Sequence, residues 1–178
     1  MTKLEINIRE AIPKDAKALN SYIRMIFKTS KHLITSPEEY HYTPWKQRLW
    51  IARKKNRKNE TCLLALLNGE IVGMLDNWTD QRARVCHVTT FAMSVHPEHR
   101  ETGIAKQLLS TFIHIIQNHP ELEKIELHVH ADNSAAIRLY ENMGFIHEGI
   151  RMRAIHYQDG RVIDDILMAL WPKESLTN

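Results

Sequence analysis

At 178 residues, 43% hydrophobic and 25% charged, the chain has the size and balance of one ordinary globular domain with a sizeable core. A formal net charge of +3 is too small to argue a nucleic-acid partner, and no run nears the ~18 apolar residues of a membrane span. The opening MTKLEINIRE is charged where a signal peptide needs an apolar stretch, and Cys62 and Cys86 form no CxxC pair, so a cytoplasmic protein with reduced, packed thiols is expected.

Alternation over Ile6–Arg9 predicts a first strand. Pro13 and Asp15 open a helix whose apolar residues Leu19, Ile23, Ile26 and Phe27 recur at helical spacing. Thr29 to Thr43 reads as irregular, with Glu38, Glu39, Tyr40 and Tyr42 between two prolines, and Trp45, Leu49 and Ile51 or Ala52 suggest a second helix. The cluster Arg53, Lys54, Lys55, Arg57 and Lys58 reads as a solvated helix end, with an anionic ligand or partner as the alternative. Cys62–Leu67 and Ile71–Leu75 flank Asn68-Gly69, a dipeptide suited to a type I′ hairpin. Val85 to Val95 reads as one long strand ending before Pro97. A helix over Gly103–Asn118, a strand over Ile125–Val129 and a helix over Ser134–Met143 closed by Gly144 follow. Two strands, Ile146–Tyr157 and Val162–Leu170, meet at Asp159-Gly160. No repeat or linker interrupts this order, which makes 1–178 one mixed α/β domain.

Two junctions carry chemistry. Val95 to Ala105 joins a strand to a helix, where free backbone N–H groups and the positive helix end suit a pyrophosphate. Gly103 allows close backbone approach, Ala105 is small, and Arg100 and Lys106 add positive charge. No Rossmann or Walker pattern is present. Further on, Asn133 and Tyr140 lie seven residues apart, so on a helix they share a face about 10 Å apart along the axis.

Arg100-x-x-Gly103-x-Ala105 resembles the Q/R-x-x-G-x-G/A signature of the GNAT superfamily of N-acetyltransferases. The stretch Leu127 to Phe145 is similar to that family's L-x-V-x-x-x-N-x-x-A-I-x-L-Y-E-x-x-G-F pattern. The likeness runs from the first strand to the last. It implies a mixed, mostly antiparallel, twisted sheet of about seven strands, flanked by about four helices and containing a splayed parallel strand pair. It also implies acetyl-CoA as co-substrate, with no metal. Arg100, Glu101, Thr102, Gly103, Ile104, Ala105 and Lys106 would hold the pyrophosphate, and the backbone of Met93, Ser94 and Val95 would hold pantetheine and stabilise an oxyanion. Asn133 would contact pantetheine and Tyr140 would protonate the departing thiolate. Asn133 also reads as a helix cap and Tyr140 as a core residue. Glu101 departs from the commonest form of the loop, where many members carry glycine.

An ammonium cannot attack a thioester, so a base is required. Many relatives place a glutamate on the long strand, and this chain has none there. His87, Glu38 and Glu39 are the candidates for the acceptor side, and the base stays unassigned. His128 and His130 share a strand face, yet no third metal ligand accompanies them. The ending, Gly144–Arg153 with Asp159–Met168, resembles the ribosomal-protein alanine and spermidine/spermine acetyltransferase branch. That branch implies a small-molecule or peptide amine as acceptor: a polyamine, an amino acid, a peptide N-terminus or an amine drug. Direct attack in a ternary complex is expected. A non-catalytic acyl-CoA-binding regulatory module is the alternative, and a nucleic-acid partner on the 53–58 cluster is a third reading. No membrane partner is expected, and a homodimer stays open.

Overall fold

The computed structural model describes residues 5–173. Strand β1 (Asn7–Glu10) leads through a short 3-10 turn into helix α1 (Ala16–Thr29), and an irregular segment leads on to α2 (Pro44–Asn56). Strands β2 (Cys62–Leu67), β3 (Glu70–Thr79) and β4 (Val88–Val95) precede α3 (Ile104–Gln117). Then come β5 (Lys124–His130), α4 (Ser134–Asn142), β6 (Ile146–His156) and β7 (Val162–Leu170). The strands form one seven-stranded sheet in the order β1-β2-β3-β4-β5-β7-β6. The β4–β5 pair is parallel, whereas the β1–β2, β2–β3, β5–β7 and β6–β7 pairs are antiparallel. The parallel register runs from Val88↔Lys124 to Thr90↔Glu126 and ends there, although both strands continue. This is the α/β architecture that the resemblance implied.

The chain forms two compact units. Of the described residues, the first contains those up to Trp78 together with Ala92–Ile113, the second Thr79–Phe91 together with those from His114 to Lys173.

In the first unit, β2 is buried along its length because both of its faces are covered. Cys62, Leu64 and Leu66 pack with Leu19, Tyr22 and Ile26 of α1 and Ile51 of α2. Burying such side chains stabilises by about 1.5–3 kcal/mol each, so Leu19, fully inaccessible, would cost about 2–5 kcal/mol if cut to alanine. On the other face α3 lies against β3 at Gly73, where a Cβ would stand 2.9 Å from Leu108 and 3.0 Å from Ile104. The hairpin turn is of the expected kind: Asn68 and Gly69 both have positive φ, 51° and 86°. Helix α2 starts where Thr43 accepts a bond from the Lys46 N–H and Pro44 occupies the first helical position.

In the second unit the core gathers Leu122, Ile125, Leu127, Val129, Phe145 and Met168. Asn133 caps α4 by accepting from the Ala136 N–H at 3.3 Å, and Gly144 ends it at φ 90°. Strand β4 begins at Val88, three residues later than expected. The β-branched run misled here, because the N–H groups of Val85 and Cys86 both bond back to Arg82 O and hold that stretch in turns. No helix among the described residues is long and apolar enough to cross a membrane.

Candidate active site

Strand β4 ends at Val95, and the His96 N–H bonds to Val72 O of β3 at 2.9 Å, which anchors the loop that follows. The loop turns over Pro97–His99, and Thr102 Oγ1 donates to His99 O at 2.6 Å. The first helical bond of α3 runs from Gln107 N to Gly103 O. Among the described residues, the backbone N–H groups of Glu101 to Lys106 therefore have no acceptor within the chain. A row of unsatisfied donors at a helix N-terminus fits a pyrophosphate. Gly103 takes φ +87°, and nothing lies within 4 Å of where its Cβ would stand, so the loop is open on that side. Glu101 takes φ 63°, the left-handed region that glycine enters freely. The Glu101 side chain is exposed, as are Arg100 and Lys106.

The first unit also holds a cavity of about 590 Å³. Its walls are apolar and aromatic, including Ile26, Phe27, Leu33, Trp50 and Met74, and Ala92, Met93 and Ser94 of β4 line it as well. Tyr40 organises one side. Its ring lies 5.0 Å from Phe27 and 5.6 Å from Tyr42, its hydroxyl accepts from Asn20 Nδ2 and donates to Gln47, and Arg24 stacks on it at 5.4 Å. Tyr22, on the buried face of α1, hydrogen-bonds to Ser94 Oγ at 3.1 Å. The segment expected to be irregular thus shapes a wall of this cavity.

The charged residues at the cavity are Glu39, Lys46 and Asp76, with His41 beside them. Glu39 Oε2 accepts from the Ser36 N–H at 2.7 Å. Glu38 is exposed and does not line the cavity, and His87 stands in the turn before β4, its carbonyl accepting from the Glu123 and Lys124 N–H groups. Asp76 was missed in sequence because it belongs to no motif and sits inside a hairpin strand. Only the alternation Met74–Asp76 could have flagged it, by placing it on the face of an apolar neighbour. Its partner Lys54 corrects the reading of the basic cluster: Lys54 is 7% exposed, not solvated, with its ammonium 2.6 Å from Asp76 Oδ1, 3.4 Å from Glu60 and bonded to Asn77 O.

Asn133 and Tyr140 belong to the second unit. Tyr140 is 8% exposed, edge-on to Phe91 at 5.9 Å and tilted against Phe145 at 5.7 Å. Burial pushes its pKa up to about 12, so it keeps its proton at neutral pH. Among the described residues its hydroxyl has no hydrogen-bond partner. His128 and His130 have separate partners: His128 Nδ1 lies 2.8 Å from Asp165 Oδ2, and His130 Nδ1 2.8 Å from the Tyr157 hydroxyl. Among the described residues, no group of three or more His, Cys, Asp or Glu side chains could hold a metal ion.

Comparison with known proteins gives the family. The acetyltransferase (GNAT) family pattern fits residues 26–145. The chain is 30% identical over 165 residues to the L-amino acid N-acetyltransferase AaaT of Escherichia coli K12, covering 93% of this chain and 97% of that protein. It is 31% identical over 137 residues to the ribosomal protein bS18-alanine N-acetyltransferase of the same organism, covering 73% of this chain and 82% of that one. A crystal structure of a GNAT-family acetyltransferase from Streptococcus pneumoniae superposes with a TM-score of 0.89 at 29% identity, covering 94% of this chain and 99% of that one. The chain belongs to the acetyltransferase (GNAT) family and is an acetyl-CoA-dependent N-acetyltransferase.

Proposed function

We propose that this enzyme acetylates the primary amine of a small acceptor with an apolar or aromatic body, of the hydrophobic amino acid or arylalkylamine kind, by direct attack in a ternary complex. The observation that carries this reading is the cavity of about 590 Å³, walled by Ile26, Phe27, Leu33, Trp50 and Met74 with only two carboxylates, Glu39 and Asp76, among its lining. That size is ordinary for a small-molecule site, and its chemistry is an apolar container with few polar groups. A polyamine would present several ammonium groups and leave most of them unmatched against these walls. The relative named as an L-amino acid N-acetyltransferase supports the same class of acceptor.

In this reading the N–H groups of Glu101 to Lys106 hold the pyrophosphate, with Arg100 adding charge. Met93, Ser94 and Val95 meet the pantetheine arm, which brings the acetyl group to a cavity that Met93 and Ser94 already line. Asn133 contacts pantetheine while it caps α4, Tyr140 protonates the departing thiolate, and Glu39 draws the cationic acceptor. Residues 1–178 act as one catalytic domain, a reading supported by a family match, 26–145, that takes in parts of both units.

The test is thiol release from acetyl-CoA with a panel of amines: phenethylamine, hydrophobic and polar amino acids, spermidine, an aminoglycoside and short peptides. Highest kcat/KM for the apolar amines is expected. A preference for spermidine or the aminoglycoside would overturn the acceptor class.

A further inference from the structure

The two carboxylates of the cavity are differently held. Glu39 belongs to the exposed segment before α2. Asp76 is on β3, two residues beyond Met74, so both point to the same sheet face and both line the cavity. Asp76 Oδ1 is sealed from solvent and faces Lys54 Nζ at 2.6 Å. The side chain as a whole is still 19% exposed, and Asp76 lines the cavity. Lys54 is in turn fixed by Glu60, by Asn77 O and by the Trp50 ring at 5.4 Å.

We propose that Asp76 is the general base of the acetyl transfer, its Oδ2 taking a proton from the acceptor's ammonium while Lys54 holds the other oxygen. This rests on the acetyl-transfer reading of the same cavity. The ammonium R–NH3+ gives one proton to the carboxylate, and the freed lone pair forms the N–C bond to the acetyl carbon. The C–S bond breaks with its electron pair leaving on sulfur. The nitrogen's second proton balances the one taken up by the thiolate. The products are R–NH–CO–CH3, coenzyme A as its thiol, and one proton that Asp76 passes to solvent.

The surroundings suit the task. Lys54 and Glu60 face Asp76 from α2 and the stretch before β2, Cys62 is its register partner on β2, and Glu39, His41 and Lys46 share the cavity lining. Burial pushes the Asp76 carboxyl up to about 6, with Lys54 restraining the rise and Glu60 adding to it. Such a group is ionised at neutral pH yet more basic than an ordinary carboxylate, as a general base should be. Burial also pushes the Cys62 thiol well up, so it stays uncharged beside Asp76. The acceptor loses no binding by this: a carboxylate among apolar walls attracts the ammonium before deprotonating it.

The test compares phenethylamine with β,β-difluorophenethylamine, which has nearly the same shape but is mostly neutral in mildly alkaline buffer. For Asp76→Asn, kcat with phenethylamine should fall about 10²–10⁴-fold, with at least a tenfold smaller loss for the fluorinated amine and partial recovery in Asp76→Glu. Calorimetric coenzyme A affinity should stay unchanged, which shows the variant is folded. Equal losses with both amines, or full turnover in the folded variant, would overturn the proposal. The wild-type enzyme supplies an arm that needs no variant: its kcat/KM for phenethylamine should show an acid limb near pH 6, and a flat profile there rejects Asp76. If the wild type turns over neither these amines nor any of the panel, the acceptor reading fails and Asp76 with it. Turnover by the wild type alongside an unimpaired Asp76→Asn removes Asp76 alone.

Discussion

Gly103→Ala separates two costs that a side chain would carry in the loop proposed to hold the pyrophosphate. Gly103 has φ +87° and nothing within 4 Å of the place a Cβ would take, so substitution meets backbone strain but no clash within the chain. The left-handed region costs an L-residue about 1–2 kcal/mol. Alanine returns about 0.4–1 kcal/mol by restricting the unfolded chain. The net loss is about 0–1.5 kcal/mol, and at roughly 2–4 °C per kcal/mol for a chain this long, Tm should fall by a few degrees at most. Gly160 supplies the matched control. It has the same φ of +87° and the same open space, but lies in the β6–β7 turn of the second unit. Gly160→Ala therefore carries the strain without touching the loop. If the N–H groups of Glu101 to Lys106 hold the pyrophosphate, a methyl at Gly103 stands where backbone and phosphate must meet. Titration calorimetry should then show coenzyme A Kd raised at least tenfold, about 1.4 kcal/mol, in Gly103→Ala and unchanged in Gly160→Ala. Tm should drop about equally in both. Equal coenzyme A affinity in the two folded variants would refute the placement of the pyrophosphate.

Tyr140→Phe should lower kcat about 10²–10⁴-fold while Tm and coenzyme A affinity stay near wild type. Among the described residues the hydroxyl has no partner to orphan, and the ring contacts with Phe91 and Phe145 survive. Full kcat in that variant would take Tyr140 out of the mechanism. Glu39→Gln should raise the KM for phenethylamine about fivefold, the effect of losing roughly 1 kcal/mol of exposed charge attraction, whereas Glu38→Gln leaves it unchanged; steady-state kinetics that show the reverse would move the acceptor entrance. Stability should rise as pH falls from about 6 to 4, because the folded Asp76 holds its proton up to about 6 while the unfolded group, with a pKa of ~3.9, has lost it. The contribution is at most about 3 kcal/mol, and melts of Asp76→Asn across that range should lack it; a variant that keeps the slope assigns the effect to another group.

What chain order and residue type decide alone was legible. The hairpin at Asn68-Gly69 follows because two consecutive positive φ values, 51° and 86°, are tolerated by few residue pairs. The break at Pro120, the cap at Asn133 and the stop at Gly144 are likewise local, since each satisfies or ends its own backbone hydrogen bonds. The free N–H groups at the junction before α3 were legible for the same reason: unsatisfied donors at a strand-to-helix junction are a property of a few consecutive residues. Val85 to His87 shows the limit, because β-branched character cannot say that two N–H groups will bond back to Arg82 O instead of joining the sheet.

Tertiary structure alone decided the cavity and its buried ion pair. Lys54 looked like one more solvated cation in a basic run until packing brought it to Asp76 and Glu60, 22 and 6 residues away in sequence. Asp76 looked like a polar residue near a strand end until α1, α2 and the segment before α2 enclosed it with Met74 and Trp50. No spacing rule reaches across such separations. A carboxylate's basicity is set by the water and charges around it, and those neighbours exist only once the chain has folded.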